Sequence, residues 1–321
     1  MSKSYKNILI TGGAGFIGSH VFDHFSSIFE NSRIEILDKM TYAANKRNIP
    51  EVFTDEKYSF VQGDLIDLDI CLKATKDKDL VINLAAESHV GNSFEDSMIF
   101  SRSNALGTHT LLEACKRNRI KKIIHVSTDE VYGENVDSKF LETDPLNPTN
   151  PYSATKAAAE MIVQGYYRSF KLPIVVVRAN NIYGTRQYPE KIIPKFINRA
   201  LNDLPLEIQG DGSHKRHYLS AIDFSKALEV VINNFQAGSI FNIASDLELT
   251  NYEVALNINK LIRPSTLEEN ILFIEDRPFN DSRYAVNDKK IRNLGWSPER
   301  SLINDLPHII EWYKINSDWF Q

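Results

Sequence analysis

The glycine-rich loop that follows the first strand pattern constrains the fold of this chain more than any other feature. The apolar run at 8–11 leads directly into Gly12, Gly15 and Gly18, and a helical pattern follows. Glycines spaced in this way permit a tight turn, a close approach of the backbone to a pyrophosphate and close packing of helix against strand. Because free amides at the helix N-terminus face the anion, the loop predicts a dinucleotide-binding site.

Asp38 ends the second strand pattern, twenty positions after Gly18. A carboxylate at this place accepts hydrogen bonds from both ribose hydroxyls and repels the additional phosphate of NADP. The sequence therefore predicts NAD rather than NADP. Asp64, after the third strand pattern, is open to two interpretations: a contact with the adenine or a capping carboxylate.

Short apolar runs rich in β-branched residues alternate with helical patterns along the first half of the chain. These runs are at 8–11, 34–37, 60–62, 80–84, 123–127 and 174–178. Strands of this kind are buried on both faces of a parallel sheet that helices cover. We expect an α/β fold with a doubly wound parallel sheet (Rossmann), in which residues 1–180 form the NAD-binding domain and 217–244 return to it. Prolines, glycines and shorter helices predict a smaller, mostly C-terminal substrate lobe from 181–216 and 245–321.

The composition excludes several classes of protein. The chain has 321 residues, of which 42% are hydrophobic, and a net charge of −5 with scattered basic residues. This length supports a sizeable core, and this charge argues against a nucleic-acid partner. No apolar run approaches the length that spans a membrane, and Cys71 and Cys115 lie in helical patterns that favour reduced thiols. We expect a soluble cytoplasmic protein.

Two pairs of residues indicate acid and base chemistry. Asp129 and Glu130 are adjacent acids directly after a strand pattern, and Tyr152 and Lys156 share one face of a helical pattern. A phenol titrates near ~10, so a tyrosine that acts as a base at neutral pH needs about 4 kcal/mol of differential stabilisation. We expect Lys156 and a positively charged nicotinamide to supply it. The acid pair offers proton transfers that alcohol oxidation alone does not need.

These motifs resemble the extended short-chain dehydrogenase/reductase family over nearly the whole chain. The glycine loop, the Tyr152 and Lys156 pair, and Ser127 or Thr128 at a strand end carry the resemblance. The acids within the segment 127–133 narrow it to the nucleoside-diphosphate-hexose 4,6-dehydratases, since epimerases usually carry small or neutral residues there.

The resemblance implies a role for each catalytic residue. Tyr152 takes the proton of the sugar 4-hydroxyl, which Thr128 helps to hold, while hydride leaves C4 for NAD. Glu130 then removes the C5 proton, Asp129 protonates the departing 6-hydroxyl, and hydride returns to C6. The two acids need opposite protonation states, which closely spaced carboxyls reach when the pKa of one is raised. Lys156 completes the predicted catalytic set.

The resemblance also implies the binding residues. The cofactor is expected to contact Gly12, Gly15, Phe16, Ile17, Gly18, Asp38, Asp64, Leu65, Ala85, Ala86, Ser127, Tyr152 and Lys156. The hexose and its phosphates are expected to contact Ser88, Asn181, Glu190, Lys191, Arg216 and Arg277. The two arginines suit the diphosphate, although Arg216 is also compatible with a basic surface patch beside His214, Lys215 and His217. No metal is expected, because His20 and His24 form a helix-face pair without a third ligand.

The identity of the sugar nucleotide rests on two short segments. Glucose-specific members of the family usually carry Asp and Arg where this chain has Gly91 and Asn92, so a roomier pocket raises UDP-N-acetylglucosamine beside UDP-glucose as the substrate. The segment 279–281 is more similar to the UDP-glucose branch than to the dTDP-glucose branch. We expect conversion of a UDP-hexose to the 4-keto-6-deoxy sugar. A dTDP-glucose 4,6-dehydratase and then a UDP-sugar 4-epimerase are the alternatives.

The sequence leaves open whether the chain forms a dimer and bears on whether it is an enzyme. The helical patterns at 94–118 and 152–170 carry more apolar residues than one core-facing stripe requires. The resemblance implies that they pack in a homodimer, and burial within a large monomer is the alternative. An NAD-binding protein without turnover is disfavoured because both Tyr152 and Lys156 are present.

Overall fold

The computed structural model describes residues 5–265 and 270–320. Its strands are β1 (Asn7–Thr11), β2 (Arg33–Asp38), β3 (Tyr58–Gln62), β4 (Leu80–Asn83), β5 (Ile123–Thr128), β6 (Ile174–Ala179), β7 (Asn181–Tyr183), β8 (Leu206–Gln209), β9 (Lys215–Ser220), β10 (Ile240–Ile243), β11 (Glu248–Thr250) and β12 (Ile271–Ile274). Its α-helices are α1 (Phe16–Ile28), α2 (Leu68–Thr75), α3 (Val90–Glu95), α4 (Ser97–Phe100), α5 (Gly107–Arg117), α6 (Pro151–Phe170), α7 (Ile192–Leu201), α8 (Ala221–Asn233), α9 (Asn251–Ile262), α10 (Lys289–Arg292) and α11 (Leu302–Ile315).

The larger part of the molecule is a seven-stranded sheet in the order β10-β6-β5-β4-β1-β2-β3. All its strand pairs are parallel. One apolar cluster covers each face, and β5 and β6 are buried along their whole length, as their β-branched residues require. The predicted doubly wound α/β fold is confirmed, and each of the six predicted strands lies in this sheet. The strand order reverses between β1 and β4, where ligands bind in sheets of this kind.

The smaller part contains two short sheets, β11-β9-β7 and β12-β8. A separate apolar cluster joins these strands to α7, α9 and α11. The mutual packing of these elements buries a second core beside the carboxyl edge of the main sheet. A cleft between two such parts is a common place for ligands.

Elements of the second half of the chain pack against the main sheet. Helix α8 packs on α1 and β10 pairs with β6, whereas β9 pairs with β7 and β11. Ile291 and Trp296 are buried in a core cluster of the main sheet, and the Trp296 indole donates to the Asp223 carbonyl at 3.1 Å. The division into domains stays a prediction.

The helical pattern predicted at 94–118 is interrupted in the structure. It comprises the end of α3, α4, a wider π-helical stretch at Ser101–Leu106, and α5. Asp96 separates α3 from α4, because its side chain accepts a hydrogen bond from the Ile99 amide at 3.3 Å and so begins a new helix. Cys71 and Cys115 are buried and free. Within 5–265 and 270–320, no helix combines the length and apolar character needed to cross a membrane.

Candidate active site

A cleft of about 550 Å³ lies beyond the carboxyl ends of the central strands, between the main sheet and the smaller part. Every residue predicted to bind cofactor or substrate lines it. The predicted catalytic residues Thr128, Glu130, Tyr152 and Lys156 line it as well, whereas Asp129 lies behind its wall. The fold therefore brings together side chains that are far apart in sequence.

The glycine loop leaves no room for side chains. Gly12 has a φ of +71°, and a Cβ there would lie 2.8 Å from the Ala85 backbone. A Cβ at Gly18 would lie 2.1 Å from the Gly12 carbonyl oxygen. Only glycine fits both positions, so the first turn of α1 approaches β1 closely and its amides open on the cleft.

Asp38 supports this loop from the end of β2. Its carboxylate accepts hydrogen bonds from the Ala14 amide at 3.0 Å and from the Met40 amide at 2.8 Å. Burial raises the pKa of Asp38, against the lowering effect of these amides. Asp64 is paired with Lys39 at 2.8 Å and accepts from the Ile66 amide at 3.2 Å, so it is a capping carboxylate that also borders the cleft.

The cleft fits a dinucleotide. The glycine loop forms a cradle that a Cβ would fill, and Asp38 lies beside it with oxygen lone pairs in excess of its two amide donors. The buried Ser127 hydroxyl, which borders the same cleft, has no hydrogen-bond partner among the described residues. An unpaired buried hydroxyl is costly, and a ligand that bonds to it removes the cost.

Tyr152 and Lys156 are held by the first turns of α6. The helix begins at Pro151, and the Asn150 side chain caps it by accepting from the Ser153 amide at 2.9 Å. The Lys156 ammonium donates to the Val126 carbonyl at 2.8 Å, and burial lowers the pKa of Lys156 to about 8. The cap and this bond fix the helix relative to β5.

The surroundings of Tyr152 favour its neutral phenol. Burial raises the pKa of Tyr152, the negative charge of Glu130 raises it further, and a hydrogen bond with Thr128 lowers it. Lys156 donates to the Val126 carbonyl, and its assistance to the phenol together with a bound nicotinamide stays a prediction. The protein's own charges therefore do not produce the phenolate.

The two acids that follow β5 have different environments. Asp129 is 3% exposed, and it accepts from the Asn180 amide at 2.7 Å and from the Thr128 hydroxyl at 3.2 Å. Burial, and then the charge of Glu130, raise the pKa of Asp129 to about 7. Glu130 faces the cleft and accepts from the Asn150 amide at 3.4 Å. Adjacent carboxyls in such different surroundings can hold opposite protonation states.

Arg216 and Arg277 converge on the other end of the cleft. Asn280 accepts a hydrogen bond from Arg216 at 3.2 Å and another from Arg277. Neither guanidinium has a carboxylate within ion-pair distance among the described residues, and the Arg277 Nε is buried without a partner there. Burial, and then the charge of Arg216, lower the pKa of Arg277. Arg216 is 7% exposed, so it is not part of a basic surface patch. Two guanidinium groups without a carboxylate partner are suited to bind an anion such as a phosphate group.

The loops 88–92 and 188–191 meet at a third wall of the cleft. The Lys191 ammonium donates to the Ser88 carbonyl at 2.7 Å, and Glu190 accepts from the Tyr42 hydroxyl at 2.9 Å. Gly91 borders the cleft, and a Cβ there would lie 2.8 Å from the His89 ring. The Asn92 amide donates to the Tyr42 hydroxyl at 3.0 Å instead of entering the cleft.

Several residues that contact the predicted site were missed as functional candidates. Asn150 and Asn180 each bond to one of the two acids, and Tyr42 and Tyr284 line or brace the cleft. The Asn-Pro pair at 150–151 is a helix-start signature just before Tyr152 and could have identified Asn150. The two tyrosines carry no local signal, because only the fold brings them to the site.

Metal binding finds no support in the part of the chain that the structure describes. There, no group of three or more potential ligands is suitably placed to hold a metal ion. His24 is instead 2.9 Å from Glu229, and His20 bonds to the Phe16 carbonyl at 3.0 Å.

The chain matches known proteins in sequence. The family model described as GDP-mannose 4,6 dehydratase matches residues 9–306. A trifunctional UDP-glucose 4,6-dehydratase, 3,5-epimerase and reductase from Arabidopsis thaliana is 44% identical over 98% of this chain, which spans about half (48%) of that relative's length. A dTDP-D-glucose 4,6-dehydratase from Dictyostelium discoideum is 41% identical, over 98% of this chain and 83% of the relative.

Solved structures agree with this result. The dTDP-glucose 4,6-dehydratase DesIV from Streptomyces venezuelae, crystallised with NAD, has a TM-score of 0.94 and 34% identity, and covers 98% of both chains. A UDP-glucose 4-epimerase from Thermus thermophilus, also crystallised with NAD, has a TM-score of 0.86 and 27% identity over 96% of this chain and 99% of its own. The chain therefore belongs to the GDP-mannose 4,6 dehydratase family, within the extended short-chain dehydrogenases/reductases.

Proposed function

We propose that this protein is an NAD-dependent nucleoside-diphosphate-hexose 4,6-dehydratase that converts a UDP-hexose to its 4-keto-6-deoxy form. The observation that carries the proposal is the pair of acids beside Tyr152, in which Asp129 is buried with a raised pKa and Glu130 faces the cleft. Hydride transfer alone requires one base, whereas loss of water requires a second base and an acid. The dehydratases among the relatives support the same reaction.

Oxidation at C4 is assigned to the residues around Tyr152. When bound, NAD supplies a hydride acceptor at C4 and returns the hydride at C6. The glycine loop and Asp38 hold its phosphates and ribose, and Ser127 has a free hydroxyl toward it. Tyr152 takes the proton of the 4-hydroxyl, and Thr128 orients the same hydroxyl. The protein's own groups raise the pKa of Tyr152, so the positive charge that favours the phenolate would come from a bound nicotinamide.

Loss of water is assigned to the acid pair. The 4-keto group makes the C5 proton acidic, and Glu130 removes it. Asp129 donates a proton to the 6-hydroxyl, which leaves as water and creates a double bond between C5 and C6. C6 of this bond accepts the returning hydride, and C5 takes up a proton from Glu130 or from water. With a pKa of about 7, Asp129 retains a proton in a large fraction of molecules at neutral pH. Because Asp129 lies behind the cleft wall, we expect Thr128, which bonds to it at 3.2 Å, to relay or align this proton.

The substrate is held at both ends. Arg216 and Arg277 bind the diphosphate, since both lack a carboxylate partner and share Asn280 as their acceptor. Ser88, Asn181, Glu190 and Lys191 contact the hexose and the adjacent phosphate from the opposite wall. Bidentate guanidinium contacts to phosphate are strong and directional.

The identity of the nucleobase and of the sugar in the substrate is a separate proposal. Relatives named for UDP-glucose and for dTDP-glucose match this chain at similar identity. We favour uridine because of the segment 279–281, in which Asn280 borders the cleft between the arginines and Phe279 lies outside it. Gly91 borders the cleft without a side chain, and on this ground we keep UDP-N-acetylglucosamine as a candidate substrate beside UDP-glucose.

A homodimer is the proposed assembly. Met98, Leu106, Met161 and Phe170 are exposed apolar residues that all lie between α4 and the end of α6. Exposed apolar residues on helices that pack side by side are typical of a subunit interface. Sedimentation should give twice the chain mass for the wild type, and Met161→Glu should shift the population toward monomer. A wild type that sediments as a monomer at micromolar concentration would contradict it.

The decisive test is product analysis. Purified protein is incubated, without added NAD, with UDP-glucose, UDP-N-acetylglucosamine or dTDP-glucose, and loss of water is followed by mass spectrometry. Formation of a 4-keto product from any of them supports the dehydratase, and the relative rates identify the preferred substrate. Glu130→Gln should abolish water loss but retain C4 oxidation. Inversion at C4 without water loss would support the 4-epimerase alternative instead.

A further inference from the structure

Tyr284 lies between the cleft and a buried acid. Its hydroxyl donates to the Asp281 carboxylate, which also accepts from the Thr149 hydroxyl at 2.8 and 2.9 Å. Asp281 is 1% exposed and does not border the cleft, whereas Tyr284 does. The Tyr284 hydroxyl has a second possible acceptor, because the Glu130 carboxylate lies 3.4 Å away, farther than the Asp281 carboxylate.

The direction of the Tyr284 proton follows from these contacts. A phenol carries one proton, and the short bond to Asp281 takes it. Burial, and then the negative charge of Glu130, raise the pKa of Tyr284, so the phenol keeps that proton at neutral pH. The oxygen therefore presents lone pairs, not a proton, to Glu130.

A hydrogen-bond acceptor at this position favours the protonated form of Glu130 over the ionised form. An ionised carboxylate has no proton to offer and is opposed by the phenol lone pairs, whereas a protonated one donates a hydrogen bond to them. The Asn150 amide, 3.4 Å away, is a donor and favours the ionised form. Contacts of this length in the resting site commonly tighten when the substrate is bound.

We propose that Tyr284 is a positioning residue for Glu130: with its own proton committed to Asp281, its oxygen accepts a hydrogen bond from Glu130 once Glu130 has taken the C5 proton. The inference rests on the proposed function only for the identity of that proton. Tyr284 thereby gives Glu130 a hydrogen-bond partner in the protonated form that Glu130 reaches after elimination. Glu130 lies in the turn directly after β5, and Tyr284 lies between β12 and α10, so the completed base requires two segments that are far apart in sequence.

Other charges around Glu130 act on both of its forms. The titratable and charged groups that interact with it are Asp129, Tyr152, Lys191, Arg277 and Tyr284. The cations favour the ionised form, and Asp129 favours the protonated one when it is itself ionised. None of these groups changes in the variants below, except Tyr284.

The first test does not need turnover. The infrared band of the protonated Glu130 carboxyl is recorded at a series of fixed pH values and is identified by its loss in Glu130→Gln. Tyr284→Phe removes the acceptor but keeps the ring that stacks under Arg216 at 4.6 Å, so this band should weaken at a given pH. Asp281→Ala frees the phenol proton to turn toward Glu130, and should weaken the band further. Asp281→Asn keeps an acceptor for Tyr284 and should restore the wild-type band.

The second test follows catalysis on the sugar nucleotide that the wild type accepts. Tyr284→Phe should lower kcat about tenfold with little change in KM, which is the effect of one neutral hydrogen bond on a single step. The isotope effect with substrate deuterated at C5 should increase, and the acid limb of the pH profile should move to lower pH. Oxidation at C4, followed as NADH absorbance, should persist.

Tyr183→Phe is the matched control, since Tyr183 is another buried tyrosine whose hydroxyl bonds to an aspartate, Asp305 at 2.9 Å, outside the cleft. It should reduce stability but change neither the infrared band of protonated Glu130 nor the acid limb. An unchanged Glu130 band in both Tyr284→Phe and Asp281→Ala would overturn the inference. If the wild type turns over none of the sugar nucleotides, the proposed function is rejected, and the infrared result alone decides the inference.

Discussion

Glu160 and Arg178 form a doubly hydrogen-bonded ion pair at the centre of the molecule. The guanidinium Nε lies 3.0 Å from Oε1, and Nη2 lies 2.6 Å from Oε2, with both side chains almost fully buried. Arg178 also donates to the Tyr132 hydroxyl, at the end of the turn that carries the two acids. The pair therefore joins α6, which carries Tyr152, to the turn at 129–132.

Removal of one member of this pair should be strongly destabilising. Glu160→Gln leaves the Arg178 charge buried without its counter-ion, and should lower the free energy of unfolding by about 3–5 kcal/mol. Urea denaturation measures the change. Asp318→Asn, which breaks the exposed pair with Arg47, is the control and should have a much smaller effect. Equal effects of the two substitutions would contradict the role given to the buried pair.

Asp129 should make stability depend on pH. Its pKa is about 7 in the folded protein and near ~4 in the unfolded chain, so the folded state binds the proton more tightly. The stability that this group contributes is therefore present at low pH and is lost as pH rises from about 4 to about 7. Asp129→Asn should make the protein more stable than the wild type at high pH, by a few kcal/mol at most, with little difference at low pH. Thermal unfolding of both proteins across this range measures it.

The same residue should set the alkaline limb of the pH profile of catalysis. An acid must be protonated to donate, so kcat should fall as pH rises through about 7 in the wild type. Asn180 donates to Asp129 and favours its ionised form, so Asn180→Ala should move this limb to higher pH. A limb that moves to lower pH in this variant would exclude Asp129 as the acid.

Two glycines of the cofactor loop should respond differently to alanine. A Cβ at Gly18 would lie 2.1 Å from the Gly12 carbonyl, so Gly18→Ala should unfold the protein or destabilise it strongly. A Cβ at Gly15 would lie 3.3 Å from the same oxygen, so Gly15→Ala should fold but bind NAD less tightly. Circular dichroism and the NAD content of the purified proteins measure these effects. Full NAD content in both variants would contradict the proposed cradle.

Arg277 should act mainly on substrate binding. Arg277→Gln removes charged hydrogen bonds to the diphosphate and should raise KM roughly 10- to 100-fold, at about 1.5–3 kcal/mol for such bonds. Arg283 is the control, because it is already paired with Glu248 and lies outside the cleft wall. Arg283→Gln should leave KM nearly unchanged, and a similar rise in both variants would indicate a general effect of positive charge.

The main sheet and the cofactor loop were predictable because their signals are local. Runs of β-branched residues predict buried parallel strands, and the spacing of Gly12, Gly15 and Gly18 predicts a single tight turn of the backbone. The catalytic candidates Tyr152 and Lys156 were predictable for the same reason, since four residues on a helix define one face. The break of the helical pattern at Asp96 was not, because a capping side chain competes with helix continuation and the outcome depends on the neighbouring packing.

The sequence by itself determined the class of the fold, the preference for NAD and the residues from which the site is built. Only the tertiary structure decided their environments: that Asp129 lies behind the cleft wall with Asn180, that Lys156 bonds to the Val126 carbonyl, and that Tyr284 approaches Glu130. The physical reason is that a pKa and a hydrogen bond depend on burial and on partners distant in sequence. Residues 130 and 284 are 154 positions apart, and only the fold brings them together.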